Sequence, residues 1–358
     1  MKTAIIGLPQ VGKTSLFTIL TGAHEAAGRI GSMATRIGVA KVPDARLEAL
    51  AELFHPPKTV HAVVEYVDTP AISKEALRDP AFLASLRVVD AFAQVLRIFD
   101  DPSVAHEAGS LDPIRDLENV DLELILSDLV VIEKRMERLD KDRKKLKAPE
   151  LDCEFEVLER AKAMLESNRP LRQMELTEDD EKRIRGFQFL SLKPMLYVLN
   201  LGEADAPRLH EMESQYASGP LAGRKHTVVA AVCGKIEAEL AELSGEEARE
   251  YLASYGLTES GLERLIAATY SLLGLMSFLT AGEDECRAWT IPIGSTAVKA
   301  AGAIHTDFEK KFIRAEVVNW KTMIEHDGYS GLREKGLLRL EGKEYVVRDG
   351  DVLVIRHG

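Results

Sequence analysis

The sequence is poor in cysteine, and the three it has, Cys153, Cys233 and Cys286, lie far apart with no CxxC pair or Cys/His cluster. That spacing argues against a disulfide framework and against a zinc site, and it suits a reducing compartment. No apolar run reaches the roughly 18 residues that a membrane-spanning helix needs. The apolar start Ala4-Ile5-Ile6 leads into a glycine motif instead of a small-residue cleavage site, so it reads as a strand and not as a signal. Internal repeats and low-complexity tracts are also missing, which argues against solenoid and disordered architectures. Positive charge is not in excess: the net charge is −12, so any grip on nucleic acid has to be local. A cytoplasmic, monomeric protein with no membrane contact is expected.

What is present fits two or three compact domains, since 358 residues are 46% hydrophobic and 29% charged. The most informative segment is Gly7-Leu8-Pro9-Gln10-Val11-Gly12-Lys13-Thr14, a complete phosphate-binding loop, followed by Ser15 and a helical run. Gly7 and Gly12 let the backbone wrap a phosphate chain, because a side chain there would block the inward-pointing N–H groups. Lys13 is placed to reach the β and γ phosphates, and the Thr14 hydroxyl to ligate Mg²⁺. Gln10, Val11 and Ser15 complete the cradle, and the helix that follows presents its positive end to the same anion.

Further strand candidates are Ala62 to Val67, Phe92 to Ile98, Pro194 to Leu199 and Thr227 to Val232, spaced widely enough for crossover helices. An α/β fold with a mostly parallel, doubly wound sheet is the economical reading. Between the second and third of these candidates, Leu122, Ile125, Leu129, Ile132, Met136 and Leu139 recur at coiled-coil spacing, and Leu151, Phe155, Leu158, Ala161 and Leu165 form a second series. An inserted antiparallel helical hairpin follows, ending at Asn168-Arg169-Pro170, with Thr177-Glu178-Asp179-Asp180 as a capping box for the next helix. Short strand-like runs such as Arg287 to Ile291 and Val352 to Ile355 mark a small terminal α+β domain. The expected boundaries are residues 1–115 and 190–276 for the nucleotide-binding domain, 116–189 for the insertion and 277–358 for the terminal domain.

Asp68 ends a strand where P-loop proteins place the second acidic group that holds Mg²⁺. A switch protein carries glycine just beyond it as a γ-phosphate sensor, but here the run is Asp68-Thr69-Pro70-Ala71, and Pro70 supplies no N–H. Asn200-Leu201-Gly202-Glu203 stands where GTPases carry Asn-Lys-x-Asp. In the guanine code the aspartate accepts hydrogen bonds from N1–H and the 2-amino group. The longer Glu203 weakens that code, Leu201 offers an apolar shelf to either purine, and the Asn200 carbonyl is able to accept from an adenine amino group.

These motifs, together with Ile37-Gly38-Val39, Val42-Pro43-Asp44-Ala45-Arg46-Leu47, Thr280-Ala281-Gly282-Glu283 and Ile304-His305-Thr306-Asp307-Phe308-Glu309, resemble the YchF or Obg-like ATPases over nearly the whole chain. The resemblance implies a Ras-like domain, the inserted hairpin and a C-terminal TGS domain of β-grasp fold. It also implies ATP hydrolysis with Mg²⁺, GTP being weaker or comparable, and a ribosomal partner engaged through the hairpin and the TGS domain. Ile72 stands near the position of the Ras-type catalytic glutamine, and His106 matches a loop histidine with a catalytic role. Ser32, with Thr35 as the alternative, matches the first-switch Mg²⁺ ligand, and Val232-Cys233-Gly234 the second base loop. The family's glycine-rich second switch has no counterpart between Asp68 and Asp79. A nucleotide-binding interaction module with little turnover is therefore the rival expectation.

Overall fold

The computed structural model describes residues 1–22, 36–106, 109–145 and 148–358. Ser32 and Thr35 thus lie outside the described residues, as does Lys147. The chain divides into two compact units, one formed by Met1–Val39 with Glu65–Leu272, the other by Ala40–Val64 with Leu273–Gly358.

The first unit begins with β1 (Lys2–Ile6), the phosphate loop and helix α1 (Lys13–Thr21), then β2 (Arg36–Lys41). Helix α2 (Ala45–Phe54) and the short β3 (Thr59–Val60) belong to the other unit, and β4 (Val63–Asp68) brings the chain back. After α3 (Pro80–Arg87), strand β5 (Ala91–Arg97) precedes the insertion, and β6 (Met195–Asn200) and β7 (Thr227–Val232) follow it. The sheet order is β2-β4-β1-β5-β6-β7, with β1 parallel to β4 and β5, and β6 parallel to β5 and β7. β5 and β6 are buried at every position, as continuous apolar runs in a parallel sheet covered on both faces should be. This is the doubly wound P-loop architecture, and it puts the carboxyl ends of β1, β4, β5 and β6 on one edge, where ligands of such sheets bind.

The inserted hairpin consists of α4 (Pro113–Lys145) and α5 (Pro149–Glu166). Ile125, Ile132 and Leu139 bury against Leu158, Ala161 and Leu165, with Leu129, Met136, Leu151 and Phe155 partly buried around them. Leu122 departs from the expected seam: it is 38% exposed, while the adjacent Asp121 is buried in its place. The reason is ionic. Asp121 pairs with the fully buried Arg172, and Arg224 reaches the same carboxylate at 3.0 Å. Both arginines also donate to the Tyr197 hydroxyl on β6, at 3.2 and 3.3 Å. Thr177 and Asp180 form the expected capping box before helix α6 (Glu178–Ile184), and Asn168 takes a left-handed turn just beyond α5.

In the second unit the sheet runs β11-β10-β12-β8-β9-β3, where β8 is Leu275–Thr280, β9 Cys286–Pro292, β10 Phe312–Asn319, β11 Arg339–Glu341 and β12 Asp351–His357. Ala297, Ala300 and Ala301, from the helix Ala297–Ile304, pack with Phe278, Ile291 and Phe312 in a β-grasp core. Residues Ala40–Val64, assigned to the nucleotide-binding domain by sequence order, pack into this unit. The Asp44 carboxylate caps α2 and chelates Arg46 at 2.8 Å, and Arg46 extends to Asp349 at 2.7 Å. Leu47 and Leu50 are fully buried, and β3 pairs in parallel with β9.

Asp128 of α4 is buried and accepts from the Leu190 and Ser191 amides at 2.9 and 2.7 Å, tying the hairpin to the segment that enters β6. Burial outweighs those bonds and pushes its carboxyl up to about 6. A folded-state value above the unfolded one, about 3.9, means that stability from this proton is full below about pH 4 and lost as pH rises through about 6. Urea unfolding across that range should show a loss of about 3 kcal/mol that Asp128→Ala removes, at the cost of lower stability overall. A pH profile unchanged by the substitution would assign the proton elsewhere.

Candidate nucleotide-binding site

The phosphate loop takes its shape from two glycines held by their neighbours. Gly7 has φ +146°, and a Cβ on it would lie 2.8 Å from the Val95 carbonyl of β5. Gly12 has φ +99°, and a Cβ there would meet Asn200 Nδ2 at 2.5 Å. Asn200, at the end of β6, is 9% exposed and uses both ends of its carboxamide: Nδ2 donates to Val11 O at 3.0 Å and Oδ1 accepts from Gly234 N at 3.1 Å. It is a strut between the phosphate loop and the turn after β7. The direct acceptor role toward adenine foreseen for it has to share an oxygen already bonded to Gly234.

Leu201 is 2% exposed and belongs to the main core, so the shelf expected of it is not at the surface. Glu203 is paired with Lys235 at 2.5 Å, at the start of helix Gly234–Leu240, and that hydrogen bond raises the Lys235 pKa. Cys233 caps this helix from a buried position, and burial pushes its thiol pKa up.

On the phosphate side, Lys13 is buried and its Nζ donates to Leu8 O at 2.6 Å. Thr14 Oγ1 donates to Asp68 Oδ2 at 3.3 Å, which unites two of the three proposed Mg²⁺ ligands. Asp68 is 7% exposed, and its other oxygen, Oδ1, is buried with no hydrogen-bond partner among the described residues. A buried carboxylate with one oxygen against a threonine hydroxyl and the other unpartnered among the described residues suits a hard, oxygen-seeking cation. Among the described residues no group of three or more His, Cys, Asp and Glu converges.

The segment after Asp68 is stitched to the loop. The Thr69 hydroxyl donates to Ile5 O at 2.7 Å, and the Ile72 amide to Gly7 O at 3.1 Å. Ile72 itself is 2% exposed, within the core. His106 sits in a different cluster, its Nε2 2.8 Å from Asp116 Oδ2 in the first turn of α4, where Arg115 also bonds Asp116. Arg97, buried at the end of β5, shapes the loop that carries His106 by donating to the carbonyls of Phe99, Asp101 and Ala105 at 3.1–3.2 Å. Sequence reasoning missed Arg97, Asp116, Lys235 and Arg36, because no motif spacing marks a charge by the carbonyl, imidazole or carboxylate that folding brings to it.

Comparison with known proteins identifies relatives over nearly the whole chain. The family model YchF-GTPase_C, described as a protein of unknown function (DUF933), matches residues 275–358. The ribosome-binding ATPase YchF of Bacillus subtilis is 42% identical over 99% of this chain and 99% of its own. The chain belongs to the YchF family. The corresponding protein of Escherichia coli O157:H7 is 39% identical over 98% of both chains. The structure of the Schizosaccharomyces pombe YchF GTPase matches with a TM-score of 0.83 at 30% identity, covering 99% of this chain and 97% of that one. The architecture of P-loop domain, inserted hairpin and C-terminal β-grasp domain is therefore that of the family, and no described helix is long and apolar enough to cross a membrane.

Removing the strut tests the geometry. Asn200→Ala should lower stability by about 1–3 kcal/mol, because Val11 O and Gly234 N lose a buried partner, and should weaken nucleotide binding about tenfold. Urea unfolding and titration with a fluorescent nucleotide measure the two effects; a variant of wild-type stability and affinity would show that the strut carries neither.

Proposed function

We propose that the chain is an Mg²⁺-dependent ATP-hydrolysing switch whose nucleotide state governs its engagement of the ribosome. The observation that carries this reading is the convergence of Lys13, Thr14 and Asp68 beside a complete phosphate loop. Thr14 and Asp68 would hold Mg²⁺, which would supply positive charge to offset the negative charge developing on the transferred phosphoryl group. The chain's own residues do the positioning. Loop amides and the start of α1 wrap the phosphates, and Lys13 turns from Leu8 O to the β and γ oxygens. Thr14 and Asp68 offer oxygen ligands, and Ser32 is the proposed third. His106, held by Asp116, is the proposed residue for orienting water.

ATP in preference to GTP is supported by the ion pair of Glu203 with Lys235, which engages the carboxylate that a guanine would need. The Bacillus subtilis relative is named an ATPase and the Schizosaccharomyces pombe one a GTPase. Titration with both labelled nucleotides decides: ATP should bind at least as tightly as GTP, and a clear preference for GTP would overturn the adenine assignment.

Slow turnover is supported by the two hydrogen bonds that fasten Thr69 and Ile72 to Ile5 and Gly7, in a segment without glycine. The same observation favours the second reading, a nucleotide-dependent docking module with little hydrolysis. Steady-state phosphate release from ATP should be measurable and fall at least a hundredfold in Lys13→Ala. Release no greater than that of the variant would leave the docking module.

A ribosomal partner is supported by the names of the bacterial relatives and by the basic end of the hairpin. Arg135 and Arg143 are occupied by Glu154 and Asp152, while Lys134, Arg138, Lys141, Lys144 and Lys145 are exposed. Lysines that meet RNA phosphates release counterions, so binding should weaken steeply with salt. Changing Lys141, Lys144 and Lys145 together to alanine should reduce the slope of log affinity against log salt by about 2 in ribosome co-sedimentation. An unchanged slope would mean that these lysines only solvate the tip.

A further inference from the structure

The two oxygens of Asp68 face different surroundings. Among the described residues Oδ1 is buried without a hydrogen-bond partner, whereas Oδ2 receives the Thr14 hydroxyl at 3.3 Å and Nη2 of Arg36 at 2.5 Å. Arg36 opens β2, and its guanidinium lies 5.3 Å over the ring of Phe17, the residue of α1 three places beyond Thr14. The two partners are unequally buried, the Asp68 side chain being 9% exposed and that of Arg36 40%. A carboxylate so enclosed needs a countercharge, because removing its partner leaves a charge that water cannot reach. The arginine, half in solvent, can leave at little cost.

We propose that Arg36 is a tethered cation that competes with Mg²⁺ for Asp68, so that this arginine sets the Mg²⁺ concentration the nucleotide site requires. The inference rests on the reading of the site as one for Mg²⁺ and nucleotide, and goes beyond it by assigning a competitor. Thr14 meets Asp68 at Oδ2, so a cation held jointly by Thr14 and Asp68 takes the oxygen that Arg36 holds here, and its binding displaces the guanidinium. The apparent metal affinity falls by the fraction of molecules in which the pair is closed. A pair with one exposed member is at most about fivefold favourable, which bounds the effect. Phe17 keeps the displaced arginine close to the site, ready to return when the metal leaves.

The test uses the full chain, a non-hydrolysable fluorescent ATP analogue and MgCl₂. Half-saturating Mg²⁺ should fall about fivefold in Arg36→Gln, stay near wild type in Arg36→Lys, and analogue binding in EDTA should be the same for all three. An unchanged or raised Mg²⁺ requirement in Arg36→Gln overturns the proposal. So does weaker binding in EDTA, which would make Arg36 a phosphate ligand instead. If the wild-type chain binds no analogue, the reading of the site fails, and the pair is then judged separately by urea unfolding in EDTA. There, Arg36→Gln and Asp68→Asn should couple about fivefold in the unfolding constant, and strict additivity would overturn the pair itself.

Discussion

One buried carboxamide, that of Asn200, joins the three pieces of backbone from which the nucleotide site is built. It stands at the end of β6, donates to the phosphate loop and accepts from the turn after β7. Because the bond to Val11 is buried and that from Gly234 partly so, losing either leaves a polar group short of a partner, which holds the loop in one conformation before any ligand arrives. Gly12 follows from this arrangement, since a Cβ would collide with the amide nitrogen that fixes the loop. Preformed loops of this kind bind without the entropy cost of ordering, which is why so short a motif suffices for recognition.

The same strand carries a second polar anchor. Tyr197, three residues before Asn200, shares its hydroxyl with Arg172 and Arg224, which hold Asp121 at the base of the hairpin. Asp128 adds two bonds to the segment leading into β6. Buried ion pairs add little net stability but strongly penalise misplacement, because any shift leaves a charge unpaired. The hairpin is therefore fixed in angle at its base, while its far end is free to be basic and wet.

Much of this was legible in the sequence where the cause is local. The phosphate loop needs glycines at two positions and a lysine at a third, and nothing else produces that spacing. Thr177 and Asp180 cap a helix by contacts within one turn. The hairpin showed in its periodicity except at Leu122, where a buried Asp121 shifts the packed face. Legibility failed where the partner is far along the chain. Asp68, His106 and Glu203 each stood out, but their partners Arg36, Asp116 and Lys235 did not, because only folding brings the two together. Leu201 misled because the apolar character that suggested a shelf is equally what a core wants.

The allegiance of Ala40–Val64 has a consequence of another kind. The chain passes from one unit to the other after Val39, returns at Glu65, and leaves again after Leu272, so neither unit is a continuous piece of polypeptide. A truncation that ended at Leu272 would strand Leu47 and Leu50 without their core, and a fragment starting at Leu273 would lack the edge strand that pairs with β9. Modules delimited by a single cut can be borrowed, duplicated and fused; this terminal domain, in the form it takes here, cannot be inherited without a loop of its neighbour.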